Sequence, residues 1–297
     1  MDRRPDCSVI VPTYNRVALL ARTLDALSRQ EMDGRRFEVL VVDDGSTDAT
    51  AEVVDTFRER LDLRYFYQPD EGFRVAAARN VGIQHAAAEV CVFLDSGVLA
   101  HSRCVRAHLD NHTGATSVAV IGYVYCFNHN NEDAEQMHAS LDFDDVDGTI
   151  AALAEQGRWL DDREHFYRRY PGDAIADLPA PWLMYWTCDV SARTADLRAI
   201  GGFDEAFRSW GYEDVDLAYR LHRAGARFVV DRAASAIHFP HDKDHAHNKR
   251  AAATNLRYLI EKYDTPEIRV LSADPPVGYF DINDHLLERQ TQASNAG

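Results

Sequence analysis

The sequence predicts an α/β fold: a mainly parallel central sheet flanked by helices, followed by a C-terminal helical extension. Two observations carry that expectation. Strand-like apolar runs alternate with helix-like segments through the first hundred residues, and parallel neighbours need crossover connections of about that length. Each run also stops in polar residues, at TYNR, DDGS and DSG, and ligands of such sheets gather at the carboxyl ends of the strands.

CSVIVP (7–12) reads as a short buried strand. From Arg16 to Gln30, Leu19, Leu20, Leu24 and Leu27 recur at helical spacing. FEVLVVDDG repeats the strand, and STDATAEVVDTFRERL begins with a good capping residue and sets Ala51, Val54 and Phe57 on one helix face. LRYFYQ is a third strand, FRVAAARNVGIQHAA an alanine-rich helix and EVCVFLDSG a fourth strand. The second half is less regular. SVAVIGYVYCF (117–127) is a long strand, and the acidic stretch after it, through DFDDVDG, predicts mobile helix and loop. WLMYWTCDVSARTADLRAIGGFDE reads as a strand, a short helix and a glycine-rich turn. YEDVDLAYRLHRAG places Val215, Leu217, Ala218 and Leu221 at helical positions and closes on Gly225, a residue suited to a helix C-terminus. ARFVVDRAASAIHFPH adds strand and a histidine cluster, KRAAATNLRYLIEKY a last helix, and the terminal QTQASNAG a fraying tail.

Charge and composition narrow the function. Asp and Glu number 48 against 32 Lys and Arg, a formal charge of −16. Nucleic acids and anionic membranes attract basic surfaces, so neither is an expected partner. Cys7, Cys91, Cys104, Cys126 and Cys188 lack CxxC spacing and three of them interrupt apolar runs. That pattern predicts reduced core thiols instead of disulfides or a zinc knuckle. No run approaches the length of a membrane span, and MDRRPDCSVIVP leads into a strand instead of a signal peptide. The cytoplasm is the expected location.

Polar groups at the strand ends are candidate ligand contacts. Asp43 and Asp44 stand where a base and ribose would be read, because carboxylates accept from base N–H and sugar hydroxyl donors; an Asp-Gly after a strand is also an ordinary turn. In PTYNR, Thr13 lies where main chain and hydroxyl meet a base, or the segment simply joins strand to helix. Arg74 and Arg79 suit a diphosphate, with helix-surface solvation the plain alternative. Asp95 ends the fourth strand. A strand-end acid that holds a metal or ribose usually has a second acid close by, and here that position is Gly97. Glu213 and Asp214 lie beside Trp210 and Tyr212, although acids at a helix start are also favoured by the helix dipole alone. IHFPH places His238 and His241 after a strand, with His245 and His247 following; a solvated loop is the plain reading.

PTYNR, VVDDGSTD, RVAAARNVGI and FLDSG, in that order and spacing, resemble the nucleotide-binding half of the family 2 glycosyltransferases with the GT-A (Rossmann-like) fold. GGFDEAFRSWGYEDVDLAYRLHRAG resembles the acceptor and catalytic segment shared by bacterial polysaccharide-type transferases, polypeptide GalNAc-transferases and β-1,4-galactosyltransferases. The resemblance implies a nucleotide-sugar-binding half over 1–115, an acceptor and catalytic half over 116–245, and a C-terminal helix and tail over 246–297. It implies a donor site of Pro12, Thr13, Tyr14, Arg16, Asp43, Asp44, Arg74, Arg79, Asp95 and Ser96. Thr13 and Asp44 would contact the base, Arg79 the base or diphosphate, and Asp95 would be the first acid of the family's DxD motif. Asp214 matches the inverting catalytic base and Glu213 its acceptor-binding neighbour, with Trp210, Gly211 and Tyr212 completing the acceptor surface. In related enzymes a histidine completes the metal site, so Mn²⁺ or Mg²⁺ is expected on Asp95 with His238, the preferred candidate, or His241.

The expected reaction is inverting transfer of a hexose or N-acetylhexosamine from a nucleotide sugar, UDP-linked by preference, to a hydroxyl of a glycan, peptide or specialised metabolite. One carboxylate to remove the acceptor proton and one cation centre at the diphosphate suffice. Gly97 cannot ligate, which leaves three outcomes. Asp95 and a histidine hold the ion with waters and donor phosphates; Arg74, Arg79 or groups near Lys243 replace it; or activity is lost. The last outcome makes a non-catalytic nucleotide-sugar or glycan-binding protein the alternative, against which the intact WGYED segment stands. A nucleotidyltransferase would need a glycine-rich basic loop after the first strand, and PTYNRVALLART is not one. Within 128–175, Trp159, Tyr167 and Tyr170 are acceptor-side aromatics or ordinary packing.

Overall fold

The computed structural model describes residues 4–127 and 133–296. The first half alternates β1 (Cys7–Thr13), α1 (Val17–Leu27), β2 (Phe37–Asp43), α2 (Thr50–Thr56), β3 (Leu63–Tyr67), α3 (Val75–His85) and β4 (Val90–Leu94). A short β5 (Val98–Ala100) and α4 (Cys104–Asp110) follow, then β6 (Val118–Tyr125), α5 (Ala134–Ser140), α6 (Val146–Gln156) and α7 (Glu164–Tyr167). The chain continues through β7 (Asp189–Arg193), α8 (Thr194–Ala199), α9 (Glu213–Arg223) and β8 (Arg227–His238). It ends in α10 (His245–Tyr263), α11 (Pro266–Arg269) and α12 (Ile282–Ala296).

One eight-stranded sheet runs β3-β2-β1-β4-β7-β6-β8-β5. The β3–β2, β2–β1, β1–β4 and β6–β8 pairs are parallel, and β4–β7, β7–β6 and β8–β5 are antiparallel. The strand order proceeds outward from β1 to β3 and then returns to the other side of β1 with β4. That reversal opens a crevice at the carboxyl ends of β1 and β4, where such sheets bind ligands.

Both faces of the sheet are covered because successive apolar residues of the central strands point to opposite sides. Val9 and Val11 of β1 join one buried cluster with Leu20, Leu24 and Leu27 of α1 and Val105 and Leu109 of α4. Ile10, between them, faces the opposite cluster with Ala76 and Ile83 of α3, Leu197 of α8 and Leu217 and Leu221 of α9. The alternation is the two-residue period of a strand. Each fully buried Val, Leu or Ile contributes about 1.5–3 kcal/mol, so the sheet tip is carried on a rigid base. All five cysteines are buried and unbridged. Among the described residues no helix is long and apolar enough to cross a membrane.

Several local expectations are corrected. On α2, Ala51 is exposed and Thr50 takes the buried position with Val54. The WLMY segment is a 3₁₀ turn over Pro181–Met184, not strand, and β7 starts only at Asp189. Pro181 at its first position fixes φ and removes a ladder donor. The acidic stretch forms two defined helices: Asp145 accepts from Gly148 N at the start of α6, and Gly157 closes it at φ 62°; residues 128–132 of that stretch lie outside the described residues. Tyr167 is fully buried against Arg163, as packing. The tail continues as α12, because buried Ile282, Asn283 and Leu286 fix its first turn and elongation from a formed turn is easy. By contrast, Val215, Leu217, Ala218 and Leu221 are all buried, and Gly225 sits just past α9 at φ 91°.

Candidate active site at the carboxyl edge of the sheet

The ends of β1 and β2 meet through their main chain, Asp44 N donating to Thr13 O at 2.9 Å. Thr13 Oγ1 is buried with no hydrogen-bond partner among the described residues, so a ligand that approaches the β1 tip meets an unused hydroxyl. Asp43 is committed internally. Its Oδ1 accepts from Gly45 N and Ser46 N at 3.1 and 2.8 Å, and its Oδ2 from Tyr65 OH at 2.6 Å. Asp44 Oδ2 accepts from Arg74 N at 2.8 Å, which fixes the start of α3, and Gln68 donates to Oδ1. Burial raises the Asp44 pKa against the opposing pull of Gln68 and Arg74. Arg74 pairs with Glu71 at 2.9 Å, donates to the Pro69 carbonyl and sets Nε 3.5 Å from Asp44 Oδ1. Tyr14 lies half exposed with its hydroxyl on Asp70 at 2.9 Å.

Donor-side and acceptor-side candidates are joined by one guanidinium. Arg79, 3% exposed, projects from α3 and donates to Asp95 Oδ1 at 2.8 Å and to Glu213 Oε1 at 3.1 Å. Burial alone would lower its pKa, but Asp95 and Glu213 more than offset that and raise it. Glu213 Oε2 and Arg79 Nε remain buried without partners. This side-chain bridge spans 134 residues of sequence.

Asp214 differs from its neighbours. Glu213 is held by Arg79. Asp216, also in the first turn of α9, is fully buried and accepts from Arg220, from Lys262 Nζ at 2.6 Å and from Tyr263 OH at 2.7 Å. Asp214 accepts only from Val215 N, at 2.8 Å, among the described residues. Its pKa is pushed up to about 7, first by burial and then by Glu213, with Arg79 opposing. The residue keeps intermediate surface exposure, so water or an acceptor reaches it. Trp210 beside it is 43% exposed, and Gly211 and Tyr212 turn the chain into α9 with φ of 95° and 69°.

Gly97 has a positive φ of 97°. Its N donates to Thr23 Oγ1 at 2.8 Å and its carbonyl accepts from Phe239 N at 2.8 Å. A Cβ there would meet Leu19 of α1 at 3.5 Å. The position therefore ties the histidine segment to the sheet tip, and a side chain at 97 would leave toward α1. Ser96 is similarly internal, donating from Oγ to Pro12 O at 2.8 Å.

The two histidines stack with ring centroids 5.1 Å apart. His241 Nδ1 lies 3.1 Å from Phe239 O and Nε2 lies 2.7 Å from Arg16 Nη1. A proton on Nδ1 and a lone pair on Nε2 satisfy both contacts, so that lone pair is taken by Arg16 and meets a cation only if the guanidinium moves aside. Burial and then Arg16 lower the His241 pKa to about 4, while Asp95 opposes them. Burial also lowers the Arg16 pKa, again opposed by Asp95. His238 is buried at the end of β8, edge-on to Phe127, with its pKa depressed by burial and Lys243. Lys243 lies over the Phe127 ring, and burial brings its pKa to about 8.

Asp95 keeps 37% of its side chain exposed, and Oδ2 has no hydrogen bond among the described residues. Asp95 Oδ2 is thus open to a hard divalent cation that takes most of its ligands from water and phosphate; His238 Nδ1 is buried without a hydrogen-bond partner among the described residues, whereas His241 joins such a site only on release of Arg16. The full predicted set is not assembled. Among the described residues, the one trio of ligand-type atoms within 4.8 Å of each other is Cys104, His108 and Asp189, all buried. There His108 bridges Asp189 at 2.8 Å and Ser191 at 3.0 Å, an internal polar network in which Asp189 pairs with Leu94 at the end of β4 but is fully buried.

Two residues near the site escaped the sequence reading. Tyr279 lies close enough for Asp214 to act on its phenol, with its hydroxyl donating to Leu183 O at 2.7 Å; no local pattern marked it. Asn255 holds the turn that carries Trp210, and its signal was a polar residue in the buried stripe Ala251-Asn255-Leu259 of α10.

A family model described as glycosyl transferase family 2 matches residues 8–178, and one described as the N-terminal domain of galactosyltransferase matches 175–242. Validoxylamine A glucosyltransferase of Streptomyces hygroscopicus subsp. jinggangensis is 38% identical over 267 residues, covering 89% of this chain and 63% of that protein. Chondroitin synthase of Escherichia coli is 29% identical over 266 residues, covering 87% and 38%. The chain thus spans under two thirds of the length of these relatives. Among solved structures, the S. aureus TarS 1–349 complex with UDP-GlcNAc superposes with a TM-score of 0.60 at 19% identity, covering 93% of this chain and 69% of that one. The mannosyltransferase PcManGT from Pyrobaculum calidifontis, in complex with GDP-Man and Mn²⁺, gives 0.58 at 21% identity, covering 89% and 66%.

Proposed function

The chain belongs to glycosyl transferase family 2, and from that premise we propose that it is an inverting hexosyl- or N-acetylhexosaminyltransferase using a nucleotide sugar, UDP-linked in our reading. The observation that carries this is Asp214. It is the acid of the α9 first turn left without a side-chain partner among the described residues, its pKa stands at about 7, and Arg79 links its neighbour Glu213 to Asp95. A base titrating near the working pH is what proton removal from a hydroxyl requires.

In the reaction proposed, the acceptor oxygen forms a bond to the anomeric carbon while the bond from that carbon to the diphosphate breaks. The electron pair leaves with the diphosphate, the acceptor proton passes to Asp214, and a single displacement inverts the configuration. Thr13 Oγ1 and the β1–β2 tip receive the nucleoside. Trp210 and Tyr212 offer an aromatic face to the acceptor, and Arg79 keeps Glu213 and Asp95 in register. A divalent cation held by Asp95, with His238 or with His241 once Arg16 gives way, would supply neutralisation of diphosphate charge. Arg16 and Lys243 add positive charge on that side. The acceptor is a hydroxyl compound of the glycan or specialised-metabolite kind; a validoxylamine A glucosyltransferase and a chondroitin synthase among the relatives support this class.

Calorimetric titration with UDP, GDP and dTDP, each with Mn²⁺ and with excess chelator, tests the donor. Incubation of UDP-glucose with validoxylamine A as the first acceptor probe tests transfer. Metal-dependent binding of one nucleotide supports the reading, and failure to bind any of the three overturns it.

A further inference from the structure

We propose that Asn255 is a positioning residue that sets the acceptor turn and, through it, the direction of Asp214; the inference rests on the reading of Asp214 as the base. Asn255 lies on α10, in the C-terminal extension, with 5% exposure. It occupies the middle of a buried stripe flanked by Ala251 and Leu259, where an amide is unfavourable unless its donors and acceptor are matched. They are matched by the turn alone. Nδ2 lies 2.9 Å from Ser209 O, 3.4 Å from Trp210 O and 2.7 Å from Gly211 O, and Oδ1 accepts from Ser209 Oγ at 3.1 Å.

Three successive carbonyls converge on one amide because the chain reverses sharply at Gly211 and Tyr212. Tyr212 is a bulky residue in the left-handed region at φ 69°, a state that persists only where its surroundings enforce it. Tyr212 immediately precedes α9, and its carbonyl accepts from Asp216 N at 2.9 Å in the first helical hydrogen bond. Fixing carbonyls 209–211 therefore fixes the entry of the chain into the turn that holds Glu213 and Asp214. The packing agrees: a Cβ at Gly211 would come within 3.4 Å of the Ala252 Cβ, so α10 touches the turn directly.

Docking of α10 does not depend on this amide. Lys262 pairs with Asp216 and Asp204 at 2.6 Å each, and Tyr263 OH donates to Asp216 at 2.7 Å, two turns further along the helix. Removing the Asn255 contacts should loosen the turn and leave α10 in place.

The test uses Asn255→Asp, which keeps the shape but faces three carbonyl oxygens with a carboxylate, and Ser209→Ala, which removes the bond that orients the amide. The readouts are hydrogen exchange, UDP affinity by calorimetry, and UDP release from UDP-glucose as a function of pH. For Asn255→Asp we expect faster exchange confined to residues 209–216, UDP affinity within about twofold of the parent, and turnover reduced about tenfold or more. The acid limb of the pH profile should move toward the ordinary aspartate range as Asp214 gains water. A merely structural role would instead speed exchange along all of α10 and leave the limb in place, and that result overturns the proposal. So does parent-like turnover with a parent-like limb. If Asn255→Asp fails to fold, parent-like exchange over 209–216 in Ser209→Ala overturns it. If the parent itself releases no UDP from UDP-glucose and no GDP from GDP-glucose, the transfer reading fails first and takes this inference with it.

Discussion

Replacing Asp214 by Asn should abolish turnover and at the same time stabilise the protein above neutral pH. An aspartate has an ordinary pKa of about 3.9, and here burial and the neighbouring Glu213 bring it to about 7. At ~1.36 kcal/mol per tenfold change in proton affinity, that gap is an upper bound of about 4 kcal/mol; the residual exposure of the residue reduces it to about 2 kcal/mol. The sign follows from linkage. The native state binds the proton more tightly than the unfolded chain, so stability falls as pH rises from about 4 to 7 and the full cost applies above 7. Urea unfolding at pH 8 should therefore show Asp214→Asn more stable than the parent by about 2 kcal/mol, with the difference closing by about pH 4. Parent kcat/KM should rise about tenfold per pH unit below 7 and level off above it. A flat profile from about pH 5 to 8, or an Asn variant less stable at pH 8, would refute the assignment of Asp214 as the perturbed base.

Other perturbations separate the remaining roles. Arg79→Met leaves Asp95 and Glu213 without their shared partner and should cost about 3–5 kcal/mol in urea unfolding, because a buried charge loses its pair; a loss under 1 kcal/mol (roughly the exposed-pair value) would mean the bridge is solvated. His241→Ala should remove the chelator sensitivity of UDP binding in calorimetry if Arg16 gives way to the cation, whereas an unchanged response would exclude it as a ligand and leave His238. Gly97→Asp should not strengthen Mn²⁺ binding, since its Cβ aims at Leu19, and should lower stability by about 1–2 kcal/mol for the left-handed backbone. Tighter Mn²⁺ in that variant would show that the tip rearranges to present the carboxylate.

The alternating first half of the sheet was legible because its signals are local. Largely apolar strands that run out in Thr13, Asp43 and, just past β4, Asp95 mark a parallel sheet and the edge where its polar residues gather without reference to distant residues. The place of Asp214 in the first turn of α9 was legible for the same reason, from a well-patterned helix. What the pattern did not carry were the partnerships. That Asp43 closes its own turn onto Tyr65, that Arg74 donates to the Pro69 carbonyl, and that Arg79 reaches Glu213 depend on side-chain directions fixed only by tertiary packing. Pro181 converted an apolar segment from strand to 3₁₀ turn, and Tyr279 reached Asp214 from a stretch with no periodicity at all.

The bridge from Arg79 to Glu213 also limits how this chain can be recombined. Its two ends fall in the two separately matched regions, residues 8–178 and 175–242, so a hybrid joined near residue 178 inherits the guanidinium from one parent and its acid from the other. An 8–178 segment grafted onto a foreign partner would keep Arg79 on Asp95 but leave its second buried hydrogen bond unmade unless that partner supplies a carboxylate at the same place. Compatibility between the two regions thus includes one buried ionic contact, and libraries of exchanged segments should be filtered on that residue pair before any surface loop is considered.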